Sequence, residues 1–353
     1  MNTPTRTAPF IRLATVGALA LAAASTVQAQ STVTLYGIVD LFVQYGKGDS
    51  TQLAIQSGGV SGSRLGVKGS EDLGGGLKAQ FQLESGILAD TGAQASGTSF
   101  FNRQSWVGLS SESWGAVSAG RQTLPQYDIL DAFDTFGTGV GSSASSSIVS
   151  TTSRANNSVK YRSPTLGGFS GTALVGMGET TPSPTQSGDN ANVYALGGTY
   201  ASGAFSAGLA LNLFKRATNV DVDSRYVLAT AAYDFGVARL SGAVQKVRNL
   251  SGADRVDRTE AMLGVSVPVT ASHTISAAVG QVTTAGNSAL NARQWTLGAT
   301  QVMSKRTSFY AVLSHIGNGA LTSYTTTAAN GLGPTTSAGQ DASSLQVGVR
   351  HAF

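Results

Sequence analysis

The chain has no cysteine, three histidines and eight prolines, and only 12% of its 353 residues are charged. Without cysteine there can be no disulfide framework and no thiolate metal centre, so stability must come from the fold itself. His273, His315 and His351 lie far apart in sequence, and no His/Asp/Glu cluster at ligand spacing appears, so neither a metal nor a cofactor is expected. Aromatics make up 7%, too few for the run of lumenal rings that a sugar channel would show. The 23 basic residues are scattered rather than gathered in a patch, which argues against a nucleic-acid partner. Long apolar runs are missing beyond the N-terminal segment, so no helix is expected to span a bilayer.

What is present begins with a leader pattern. Arg6 and Arg12 precede an uncharged apolar run at residues 13–24, and Val27-x-Ala29 follows. This predicts a secretory signal peptide over residues 1–29, cleaved after Ala29, leaving one domain at 30–353. The leader carries two Arg and no acid, so its removal lowers the formal charge from +4 to +2. The calculated pI of 9.3 therefore overstates how basic the mature chain is.

Apolar residues then come one at a time. Over residues 32–45, Val33, Leu35, Gly37, Val39, Leu41, Val43 and Tyr45 share one face, while Thr34, Tyr36, Asp40, Phe42 and Gln44 fall mainly on the other. A period of two is a strand, and single-file apolar residues suit a wall with lipid on one side and water on the other. Residues 63–86 read as a hairpin, with Leu77, Ala79, Phe81 and Leu83 alternating with Lys78, Gln80, Gln82 and Glu84. Gly74, Gly75 and Gly76 at its tip are a turn device; a phosphate loop would need a helix to follow, and Leu77 starts a strand instead. The same unit of strand, short turn, strand and longer loop recurs at 102–121, 158–177, 193–213, 225–246, 259–282 and 293–315, with a last strand at 343–353. About sixteen strands result. The expected fold class is all-β, a transmembrane antiparallel barrel with short turns toward the periplasm. Gly/Ser/Thr-rich segments at 46–62, 179–190, 247–257, 283–291 and 316–341 read as solvated outer loops. Tyr45, Tyr200, Phe205, Tyr233, Phe235, Phe309 and Phe353 near strand ends suit interfacial girdles.

One loop, residues 121–157, is too long to be incidental. Leu124, Tyr127, Ile129, Leu130, Phe133 and Phe136 give it apolar anchors, and Asp128, Asp131 and Asp134 stand at i, i+3 and i+6. On a short helical turn these carboxylates would lie along one edge. We expect the loop to fold into the barrel and turn them toward the lumen; the alternative is a surface loop with solvated acids.

These residues resemble a known family. QSTVTLYGIVD, SRLGVKGSEDLGGGLKAQFQLESG, FNRQSWVGL with GAVSAGRQ, NNSVKYRSPTLGGFSG, YDFG, SKRTSFYA and the terminal LQVGVRHAF are similar to the trimeric general-diffusion porins of Gram-negative bacteria, in the branch typical of β-proteobacteria. The resemblance spans residues 30–353. It implies an outer-membrane homotrimer of sixteen-stranded barrels among lipid and lipopolysaccharide. It also implies a third loop tucked into each pore and a terminal aromatic, here Phe353, presented to the outer-membrane assembly machinery. Wall cations that would face the loop are Arg64, Arg103, Lys160 and Arg162, joined by Lys68 on the polar face of its strand and Arg121 at the loop's mouth. Arg103 rests mainly on the resemblance, because Trp106 and Val107 cannot both point outward.

Cations facing the loop acids across a narrow aqueous gap select by charge and size without stereospecific contact. The wall candidates outnumber the acids, so the reading is a passive channel for small hydrophilic solutes, mildly preferring anions. A substrate-specific anion channel remains open as the alternative. A membrane-embedded barrel enzyme would need a nucleophile–base pair near the outer rim, which the three histidines do not supply.

Overall fold

The computed structural model describes residues 31–178, 192–215, 223–249, 256–328 and 331–353. The expected leader at 1–29 and the expected surface loop at 179–190 fall outside the described residues.

The chain forms a closed antiparallel barrel. Its strands are β1 (Thr32–Lys47), β2 (Thr51–Ser57 continuing as Arg64–Gly74), β3 (Leu77–Leu88), β4 (Gln104–Ser111) and β5 (Gly115–Thr123). A helix, α1 (Pro125–Phe133), precedes β6 (Arg154–Arg162), β7 (Phe169–Gly176), β8 (Val193–Ser202), β9 (Phe205–Phe214) and β10 (Ser224–Asp234). The wall continues through β11 (Arg239–Asn249), β12 (Val256–Pro268), β13 (His273–Thr284), β14 (Ala292–Val302), β15 (Thr307–Asn318) and β16 (Ala342–Ala352). The two halves of β2 pair in turn with the upper and lower parts of β1, so they are one wall strand interrupted at residues 58–63. A two-residue strand, Ala93–Gln94, pairs only with the end of β3 and stands outside the wall. Sixteen wall strands therefore close on themselves, β16 against β1, with Val347 opposite Val43 and Val349 opposite Leu41. Closure satisfies every edge, which a sheet surrounded by hydrocarbon requires.

Alternation sets the two faces. Val33, Leu35, Val43, Leu65, Leu209, Leu263 and Leu297 point outward and are exposed, whereas Asp40, Gln44, Gln245 and Gln346 on the inner face are buried. That inversion of the usual soluble pattern is the mark of a wall solvated by lipid. Between β2 and β3, Gly74, Gly75 and Gly76 adopt φ of +84°, +61° and +78°, so only glycine suits the turn. Rings gather at the short-turn rim: Phe169 stacks on Tyr200 at 4.3 Å and Tyr233 on Phe235 at 4.6 Å.

Two expectations about loops need correction. The segment at 46–62 contains the first half of β2, because Leu53 and Ile55 face out while Gln52 and Gln56 face in beside Gln44. The segment at 316–341 folds back rather than standing free in solvent. Leu332 accepts hydrogen bonds from Gln44 (3.0 Å) and Gln56 (2.9 Å), and Thr327 donates to Ser145 O (2.5 Å).

Candidate pore constriction

After β5 the chain turns into the lumen. Leu124 is the N-cap of α1 and Pro125 its first residue, where proline's missing N–H costs nothing. Ile129, Leu130 and Phe133 on the buried face pack against Ala210, Leu228, Ala232, Ala243 and Met262 of the wall, together with Ala144 and Val149 of the loop's return. The wall makes room for this. A Cβ added at Gly197 would lie 2.7 Å from Pro125 Cβ, one at Gly208 2.7 Å from Ile129, and one at Gly298 2.5 Å from Phe136. Glycines on three strands thus let the loop lie directly on the backbone.

The Ser-rich second half, from which sequence reasoning drew nothing, is the fastening. Glu260, fully buried on β12, accepts the Ser150 N–H (2.7 Å) and hydroxyl (2.8 Å), and Gln245 bridges Ser150 O (2.7 Å) to Glu260 (2.8 Å). Gln126 of α1 joins them through Ser150 O (3.1 Å) and Asn212 (2.8 Å). Farther along, Gly141 O accepts from Gln294 (3.0 Å) and Thr296 (2.9 Å). Serine suits this role because its short hydroxyl can bond a wall side chain while the backbone stays close. The pattern of buried Gln and Glu on inner strand positions was the available signal.

The three loop acids part ways. Asp128, in the first turn of α1, pairs with Lys160 of β6 at 2.8 Å. Asp131 is exposed and accepts the Thr138 hydroxyl at 2.8 Å. Asp134 does not face the lumen, contrary to expectation. It is the C-cap of α1, and its buried carboxylate accepts backbone N–H groups of Phe136 and Ser143, each at 2.9 Å. Burial pushes its carboxyl up to about 7, against those N–H bonds, which pull it down. The spacing of i, i+3, i+6 fails at its last member because the helix ends at Phe133.

On the wall, Arg103 Nε lies 2.7 Å from Glu84 Oε1, and Arg64 Nη1 lies 4.0 Å from the same oxygen. Tyr36 donates to Glu84 at 2.9 Å. Arg154, which sequence reasoning missed, presents its guanidinium to the Tyr127 ring at 5.7 Å, tying the start of β6 to α1. It opens the strand that carries Lys160 and Arg162, which was the signal for it. Lys68 rests over Tyr36, 5.3 Å from the ring centroid. Arg162 is exposed on the same face as Lys160. Arg121 does not confront the loop acids: beside the bulge at Gly120–Gln122 it donates to Asn102 O (2.7 Å) and Asn156 (2.5 Å). Trp106 faces inward and Val107 outward, which resolves the ambiguity in β4. The result is two guanidinium groups sharing one carboxylate, a third on an aromatic face, and a lysine balanced by one loop acid.

At the closing seam, Phe353 exchanges backbone hydrogen bonds with Gly37, each 3.1 Å, and shares the outer face with Val347 and Val349. The histidines are occupied locally: His273 with Thr270 (2.8 Å), His315 with Ser343 (2.9 Å), His351 with Thr307 (2.9 Å). Among the described residues no group of His, Asp and Glu is arranged to hold a metal ion.

Comparison with known proteins bears on this arrangement. The family model for Gram-negative porins matches residues 14–321. Outer membrane porin protein 32 of Delftia acidovorans is 36% identical, over 94% of this chain and 97% of its own. The structure of an anion-selective porin from Comamonas acidovorans superposes with a TM-score of 0.80 at 32% identity, covering 92% of this chain and all of that one. OmpT of Vibrio cholerae in its trimer form shares the fold, with a TM-score of 0.71 at 18% identity over 92% and 99% of the two chains. An inverted sixteen-stranded wall, an inward loop fastened by buried polar residues, and a match over most of the length agree: this chain belongs to the Gram-negative porin family of the outer membrane.

Proposed function

We propose that this porin is a general-diffusion channel for small hydrophilic solutes with a mild preference for anions. The observation that carries the preference is the charge balance at the constriction. Arg64 and Arg103 are offset by the single Glu84, Arg154 forms no ion pair among the described residues, and Asp128 is engaged by Lys160. Asp131 is the one exposed loop acid that forms no ion pair among the described residues, since Asp128 is paired and Asp134 is buried in the loop. An excess of fixed positive charge in a narrow aqueous gap raises the local anion concentration and the anion flux. The similar Comamonas acidovorans porin is anion-selective, which supports the same sign. Small hydrated ions cross without a stereospecific contact, and apolar molecules are slowed because they must displace water aligned by these charges.

The same reading includes export through a leader cleaved after Ala29, assembly as a homotrimer, contact with lipopolysaccharide in the outer leaflet, and Phe353 as the signal to the assembly machinery. The trimer form of OmpT supports the oligomeric state by analogy. The decisive experiment is reconstitution into planar bilayers with a potassium chloride gradient. A reversal potential displaced toward the chloride equilibrium value is expected. A potential displaced toward that of potassium would overturn the anion preference, and the absence of current would overturn the channel.

A further inference from the structure

Beneath the loop, toward the short-turn end, the inner wall of β3–β6 holds a recess of about 240 Å³. Trp106 forms one side, and Gln80, Gln82, Ser118, Lys160 and Arg162 line the rest. A second recess of about 280 Å³, lined by Lys68, Ser70, Gln80 and Gln82, lies against the same tryptophan. The indole therefore stands between cations, on a strip of wall that is otherwise amide and hydroxyl. Lys160 is engaged by Asp128 and by Thr123 O (2.9 Å). The Arg162 guanidinium forms no ion pair or hydrogen bond among the described residues, and the Trp106 N–H is likewise uncommitted.

We propose that this recess is a binding subsite for single-ring aromatic carboxylates. The ring packs against the Trp106 indole, and the carboxylate takes the Arg162 fork, which matches its two oxygens. Gln80, Gln82 and Ser118 supply hydroxyl and amide partners for ring substituents. The volume lies just below the roughly 300–1,000 Å³ of pockets for drug-sized ligands, so one ring fits and a fused system does not. Open to the lumen, the site binds weakly enough to release its guest, as conduction requires. It deepens the anion-channel reading by naming a class of organic anion that the pore would concentrate just below its constriction.

The test is chloride current through single reconstituted trimers, with sodium benzoate or sodium acetate added on the periplasmic side. Benzoate is expected to lower the current saturably, with a half-effect at about tenfold lower concentration than acetate. Trp106→Ala should erase that difference, Trp106→Phe should retain most of it, and Arg162→Gln should weaken both anions. In the wild type, benzoate should also quench tryptophan emission, and Trp106→Phe should remove that quenching. Equal effects of benzoate and acetate on the conducting wild-type pore, or an unchanged benzoate effect in Trp106→Ala, would overturn the subsite while leaving the channel intact. Absence of chloride current in the wild type would instead overturn the channel reading on which the subsite rests.

Discussion

Lys160 Nζ lies 2.8 Å from Asp128 Oδ2, joining wall strand β6 to the first turn of the lumenal helix. The lysine is almost wholly buried, its side chain only 8% exposed, while the aspartate is partly open to the lumen. The pair pins the helix start and cancels a charge that the aperture would otherwise feel.

Removing the acid alone should therefore unmask the cation. Asp128→Asn, and more so Asp128→Asn with Asp131→Asn, is expected to raise the chloride-to-potassium permeability ratio about two- to fivefold. That corresponds to about 0.4–1 kcal/mol, up to the interaction of unit charges a few ångströms apart in water. Reversal potentials in asymmetric salt measure it, and an unchanged ratio would remove the loop acids from the selectivity mechanism.

The opposite change is expected on the arginine side. Arg154→Ala deletes a guanidinium that forms no ion pair among the described residues, so anion preference should fall by a comparable factor. Because it also frees Tyr127, open-channel current noise should rise. Arg103→Gln should shift the ratio further toward cations, since Glu84 would keep only the more distant Arg64.

The loop's anchorage can be tested apart from charge. Ser150→Ala removes the hydroxyl held by buried Glu260, leaving a carboxylate short of one donor, at a cost of about 1–3 kcal/mol. The barrel should still migrate as a folded, heat-modifiable species, while its conductance becomes larger and more variable. A steady wild-type conductance would show that the remaining bonds at Gly141 and Gln245 suffice.

Asp134 gives the loop a pH dependence of definite sign. Its carboxyl, raised from the ordinary 3.8 to about 7, binds a proton more tightly in the folded loop than in the unfolded chain. Stability from this group is then greatest below pH 4, declines as pH rises from about 4 to about 7, and is level above that. Asp134→Asn should flatten the profile. Melting temperatures in detergent at pH 4, 5.5, 7 and 8.5 would show it, and parallel profiles for both proteins would refute the assignment.

The wall was legible because lipid and water impose a strict period of two, as Val33 to Tyr45 display. Wall cations such as Arg64 and Lys160 came from the family resemblance, and that parity put them on the polar face of their strands. Other features depend on contacts distant in sequence. Ser150 meets Glu260 across 110 positions, so nothing local marked the Ser-rich run as structural. Asp134 read as lumenal because helical spacing was extended one residue past the helix's end. Thr51–Ser57 was missed as a strand because its alternation is brief and glycine-flanked. Trp106 was ambiguous because its neighbour Val107 is equally apolar, and register with Gln82 decides which of them faces the lumen.

Gly197, Gly208 and Gly298 carry a consequence for how such pores diversify. Because the helix and its return rest on bare backbone at these points, the width of the passage is written on the far side of the barrel as much as in the loop. A methyl group at Gly298 would act as a shim against Phe136, tilting the constriction without altering any charge. Transplanting the loop alone onto another member's barrel should therefore fail to transfer its calibre unless these three bare seats travel with it.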